Sequence, residues 1–153
     1  MTLKLALYQP EIALNVGAII RICSCFNVDL DIIEPCGFPF SIKAVRKSSL
    51  DYHKFCKIKR YYNYENFYFE RIKNSKFGSK LILMSTKGKK SLWNYEFNES
   101  DIILMGNESS GVSEKVFSDA DEVLKIPISY SCRSLNVSVS AGISIAEALR
   151  QLK

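Results

Sequence analysis

Ser134-Leu135-Asn136-Val137-Ser138-Val139-Ser140-Ala141-Gly142 opens the last apolar stretch of the chain with more polarity than core packing alone would select. Asn136 suits a helix N-cap, because its side-chain oxygen can take a backbone N–H that the first turn leaves unpaired. The small residues around it keep the positive end of the helix open to a ligand. The helix is expected over Val137–Leu152. Ala141, Ile145, Leu149 and Leu152 form its apolar stripe, and Ser138, Gly142 and Ala146 a ridge of small residues that lets another backbone come close. An Asn-Ser cap on its own is ordinary; two distant stretches give this one a context.

The first is Asn15-Val16-Gly17-Ala18-Ile19-Ile20-Arg21, after a short apolar run (Leu3–Tyr8) and a turn with Pro10 and Glu11. At i,i+4 spacing Arg21 leans back over Gly17, which offers no side chain to block it, so the guanidinium is expected to reach toward a ligand. The second is Gly106-Asn107-Glu108-Ser109-Ser110-Gly111, directly after the apolar run Ile102–Met105; its glycines permit a tight, open backbone. Strands are expected at Leu3–Tyr8, Asp29–Ile33, Phe55–Lys59, Lys80–Met84, Asp101–Met105 and Glu122–Ile126, with helices at Val16–Phe26, Tyr64–Lys73, Ser113–Phe117 and Val137–Leu152. Short apolar strands alternating with helices imply an α/β fold, a mostly parallel sheet covered on both faces. The G-x-G-x-x-G fingerprint of dinucleotide sites does not follow the first strand, which argues against a nicotinamide-dependent oxidoreductase.

The three stretches, in this order, resemble the SPOUT class of RNA methyltransferases and within it the ribose 2′-O-methyltransferase branch. Asn15, Gly17 and Arg21 match its first motif, Gly106, Glu108 and Gly111 its second, and Ser134 to Ser138 its third. Leu7–Ile12, Ile32–Phe38 and Leu50–His53 look like the compact enzymes that methylate the tRNA wobble ribose, at cytidine or 5-substituted uridine 34. The resemblance spans nearly the whole chain, so 1–153 is read as one SPOUT methyltransferase domain. It implies a C-terminal trefoil knot, S-adenosylmethionine as methyl donor, tRNA as partner, and a homodimer with the last helix in its interface.

Carried over position by position, the resemblance puts the cofactor against Met84, Gly106, Glu108, Ile126, Ser134 and Leu135, and the reaction at Arg21, Asn15, Glu108, Ser134 and Asn136. Arg21 is expected to clamp a phosphate and steady charge on the attacking oxygen, with Glu108 fixing Arg21 by a charge-assisted hydrogen bond. Another tRNA or rRNA position, or a non-catalytic RNA-binding relative, are the competing readings.

Composition agrees with an RNA partner. The formal net charge is +5, and cations cluster at Lys43, Arg46 and Lys47, at Lys54 to Arg60 and at Lys87, Lys89 and Lys90. Lysine and arginine supply phosphate contacts, while unpaired bases are read by stacking and hydrogen bonds. Arg46 and Lys47 are the expected RNA contacts. The aromatic stretch Tyr61–Phe69 reads mainly as core, with base stacking as the lesser use. The five cysteines include no C-x-x-C pair, so neither a disulfide framework nor a zinc site is expected, and Cys23 is taken as buried filler. His53 beside Asp51 and Tyr52 is read as structural, since no nucleophile accompanies it. With no signal segment and no run long enough for a membrane helix, a cytoplasmic protein is expected.

Overall fold

The computed structural model describes residues 3–153. Apolar runs become strands where helices cover both faces of the sheet they join. β1 (Lys4–Tyr8) leads through α1 (Ala13–Phe26) to β2 (Asp29–Ile33), then through α2 (Ile42–Ser49) and a 3₁₀ turn (Tyr52–Phe55) to β3 (Ile58–Tyr61). α3 (Tyr64–Tyr68) runs into a π-helical turn (Phe69–Lys73) before β4 (Leu81–Met84), the two-residue β5 (Lys90–Ser91) and β6 (Ile102–Met105). α4 (Glu114–Asp119), β7 (Glu122–Lys125) and α5 (Val137–Leu152) complete the order. The seven strands among the described residues lie parallel in one sheet, ordered β3-β2-β1-β6-β4-β7-β5.

Alternation along the strands sorts side chains onto two cores. Leu5, Leu7, Ile82, Met84, Ile103 and Met105 face the helical layer of α1 and α5, where Ile19, Ile20, Cys23, Ala141 and Ile145 are buried. Ala6, Leu81, Leu83, Ile102 and Leu104 face the other way, onto Tyr64, Phe67 and Val116 of α3 and α4. Both faces are therefore covered, as a parallel sheet requires. No helix among the described residues is long and apolar enough to cross a membrane.

Two expected elements are corrected, and two more were not expected. The third strand sits three residues later than Phe55–Lys59, because Tyr52–Phe55 closes a 3₁₀ turn and only Ile58 to Tyr61 pair with β2. α2, absent from the sequence reading, begins at the Ser41 cap, whose hydroxyl accepts from the Ala44 N–H at 3.0 Å. β5 also escaped notice. The helix expected over Tyr64–Lys73 changes from α to π winding at Phe69.

Gly17 faces α2. A Cβ there would lie 1.9 Å from Ser48 Oγ and 2.5 Å from the Val45 carbonyl oxygen, so this glycine lets two helices touch rather than clearing a path for Arg21. Gly88 serves similarly, its missing Cβ falling 2.6 Å from the Leu124 carbonyl carbon. There the segment between β4 and β5 crosses the carboxyl end of β7, which lies between those two strands.

Candidate active site

Because every strand runs the same way, the carboxyl ends of β4, β6 and β7 open on one edge of the sheet, where α/β proteins gather ligands. A cavity of about 650 Å³ lies there. Met84 ends β4, Gly106 follows β6 and Ile126 follows β7, and all three line it. Ser134, Leu135, Asn136, Asn15 and Glu108 line it as well. The six residues expected around the cofactor are thus together in one cavity, with Asn15 and Asn136 beside them.

Hydrogen bonds fix the loop after β6. Asn107 Oδ1 accepts from the N–H groups of Ser109 and Ser110, both at 3.0 Å, while its Nδ2 donates to the Gln9 carbonyl at 2.5 Å. Asn107 and Gly111 exchange backbone hydrogen bonds of 2.7 and 2.9 Å, closing the loop on a glycine with φ of 66°. The Glu11 carboxylate accepts from the Ser109 N–H at 3.1 Å and its hydroxyl at 2.9 Å. The loop is thereby tied to the turn that enters α1.

Glu108 belongs to the same tie. Its Oε2 accepts from the backbone N–H groups of Glu11 and Ile12, each at 2.8 Å. α1 has no side-chain cap of its own at Ile12, so a carboxylate from a distant loop takes that position, where the helix dipole favours negative charge. Partial burial nevertheless raises the Glu108 pKa above the usual carboxylate range, opposed by those two N–H groups. The expected Glu108–Arg21 hydrogen bond is therefore replaced by a helix cap.

Asn136 caps α5 as the sequence indicates, its Oδ1 accepting from the Ser138 N–H at 2.8 Å and the Val139 N–H at 3.4 Å. Its Nδ2 donates to Asn15 Oδ1 at 3.1 Å, joining the first and third motifs across the cavity mouth. Arg21 lies outside the lining, with its guanidinium 5.0 Å from the centroid of the Tyr52 ring. Arg46 and Lys47 project from the last turn of α2 and are exposed. His53 Nδ1 lies 3.3 Å from the Leu50 carbonyl oxygen, a local contact with no catalytic partner. Sequence reasoning missed Arg133 and Lys87 as lining residues. Each had a signal, Arg133 as the immediate neighbour of Ser134 and Lys87 as a member of a noted cationic cluster.

A parallel sheet whose strand-end loops surround an apolar and amide-lined cavity beside a capped helix defines an α/β ligand-binding protein. The chain belongs to the SpoU rRNA Methylase family, which it matches over residues 2–146. The tRNA (cytidine(34)-2′-O)-methyltransferase of Beijerinckia indica subsp. indica is 41% identical over 148 residues, covering 97% of this chain and 91% of the relative. The enzyme of that name from Escherichia coli K12 is 32% identical over 152 residues, covering 98% and 94%. A solved structure described as giving insights into 2-OH methylation of C/U34 on tRNA superposes with a TM-score of 0.90 at 34% identity, covering 99% of this chain and 96% of that one. The fold is shared with the SpoU methyltransferase AviRb of Streptomyces viridochromogenes in complex with AdoMet, with a TM-score of 0.87 at 23% identity over 99% of this chain and 60% of the other.

Proposed function

We infer that this chain is an S-adenosylmethionine-dependent methyltransferase that modifies the ribose 2′-hydroxyl of the tRNA wobble nucleotide, a cytidine or 5-substituted uridine at position 34. The observation that carries this reading is end-to-end likeness to enzymes of that name, over 97% of this chain and 91% of the Beijerinckia indica enzyme.

The cavity fits the donor. Met84, Ile126 and Leu135 offer apolar faces for an adenine, and the strand-end peptide groups around Met84, Gly106 and Ile126 offer donors and acceptors for its edge. S-adenosylmethionine supplies an electrophilic methyl group on a sulfonium. Ser134 and Leu135 close the pocket against water, and the Asn15–Asn136 pair holds the acceptor side. Asn136 Nδ2 takes up Asn15 Oδ1, which leaves the Asn15 Nδ2 to donate to the incoming ribose. Much of the acceleration comes from this positioning.

A guanidinium makes a poor general base, so Arg21 acts by charge, clamping the adjacent phosphate while a phosphate oxygen or water accepts the proton. Glu108 acts through α1 by fixing the turn that carries Asn15. Arg46, Lys47 and the cavity-side cations Arg133 and Lys87 hold the RNA backbone.

The protein works as a homodimer in the cytoplasm. Val139 and Ala146 on α5 and Leu14 on α1 leave an exposed apolar strip along two packed helices, suited to a second copy. Residues 1–153 act as one SPOUT domain closed by a trefoil knot, a reading supported by the crossing of residues 85–89 over the end of β7. The test is transfer of labelled methyl groups from S-adenosylmethionine to tRNA and, separately, to ribosomal RNA, each from a strain lacking the protein. Label in tRNA alone is expected; label in ribosomal RNA alone contradicts the assignment.

A further inference from the structure

The aromatic stretch Tyr61–Phe69 divides between two tasks. Tyr61, Tyr64 and Phe67 are buried, with the Tyr61 and Phe67 rings edge to face at 5.4 Å and the Tyr64 and Phe67 rings tilted at 6.1 Å. Tyr62 and Phe69 stand 84% and 61% exposed. Together with Lys59, Arg60, Asn66 and Asn74 they line an open groove of about 460 Å³ along β3, the free edge of the sheet.

Neighbouring side chains hold the groove's two cations in place. Arg60 lies 4.9 Å from the Phe40 ring centroid and pairs with Glu34 at 2.5 Å; Lys59 lies 5.0 Å from the Tyr61 ring centroid and pairs with Glu70. These acids offset much of the positive charge, so the groove is a poor trap for phosphate alone. What it offers is two exposed π faces, the amides of Asn66 and Asn74, and cations at its margin. That combination matches a nucleobase, whose flat face stacks on aromatics and whose edge pairs with amides.

Its position matches as well. Tyr61 ends β3 on the edge of the sheet that also carries Gly106 and Met84, and β3 is three strands from β6. At roughly 4.8 Å per strand, the groove lies about 14 Å from the cavity across the sheet.

We propose that the groove formed by Tyr62, Phe69, Asn66 and Asn74 at the β3 edge binds an unpaired base of the same RNA whose ribose is methylated, as a second anchor beside the active site. This rests on the tRNA reading above. Stacked aromatics tolerate sequence, so the groove adds affinity and orientation rather than choice of nucleotide.

The test is fluorescence anisotropy with end-labelled tRNA from a strain lacking the protein, run beside steady-state methylation. In the double variant Tyr62→Ala, Phe69→Ala, the tRNA Kd and KM are expected to rise about tenfold, with kcat and S-adenosylmethionine affinity unchanged. Tyr62→Phe, which keeps the ring, is expected to bind as the wild type does. An unchanged Kd in the double variant, while the wild type still methylates tRNA, overturns the groove and leaves the enzyme reading standing. A wild type that neither binds nor methylates tRNA overturns the reading beneath it. A double variant that sediments as a smaller species than the wild type makes the groove a contact between copies and likewise overturns the proposal.

Discussion

Lysine in place of Arg21 keeps a positive charge but loses the planar fork. Arg21→Lys is therefore expected to lower kcat on tRNA about 10- to 100-fold while S-adenosylmethionine binding is unaffected, since Arg21 lies outside the cavity lining. Near-normal turnover contradicts the clamp. Asp101 makes a separate point about stability. It is buried just before β6, with Oδ2 accepting from the Tyr95 hydroxyl and the Asn98 N–H, each at 3.0 Å, and Oδ1 without a hydrogen-bond partner among the described residues. Burial raises its pKa, which the Asn98 N–H and the Tyr95 hydroxyl oppose. A carboxyl raised on folding adds stability below its unfolded pKa and loses that contribution as pH rises through the folded value. The stability difference between Asp101→Asn and the wild type should therefore shift in favour of asparagine from acid to neutral pH, as read by urea denaturation at several pH values. A shift the other way contradicts the assignment.

Among the elements, the contact between α1 and α2 depends on one missing methyl. Gly17→Ala must push apart backbone and hydroxyl now 2.5 and 1.9 Å from the new carbon, and is expected to destabilise by about 1–3 kcal/mol, visible as a lower thermal midpoint. This use of Gly17 was not legible in the sequence, because α2 was not. Its eight residues bury only Val45 and Ser49 among exposed Lys43, Arg46 and Lys47, too short and too polar a stretch to distinguish from a solvated loop. The strands β4 and β6 were legible because Leu81–Met84 and Ile102–Met105 are uninterrupted apolar runs of parallel-strand length. Of the candidate site, the cap at Asn136 was local and could be read, whereas the cap supplied by Glu108 joins residues 97 apart and needed the fold. The aromatic stretch was half legible: helical spacing announces buried rings, but which rings stay outside depends on the π turn at Phe69 and on β3 being an edge.

At the scale of the whole molecule, the proposed homodimer and its tRNA substrate are each open to test. Val139→Asp on the exposed strip of α5 is expected to give a monomer by sedimentation and to weaken methylation of tRNA, while the S-adenosylmethionine pocket stays within each chain. Affinity for tRNA should fall steeply as salt rises, since phosphate contacts release counterions. The most direct test of the central claim is mass-spectrometric mapping of the nucleotide that receives a labelled methyl group when the purified protein acts on tRNA from a strain lacking it. A 2′-O-methylated cytidine or 5-substituted uridine at position 34 is the expected product, and label on a base, or on a ribose elsewhere in the tRNA, would contradict the proposed function.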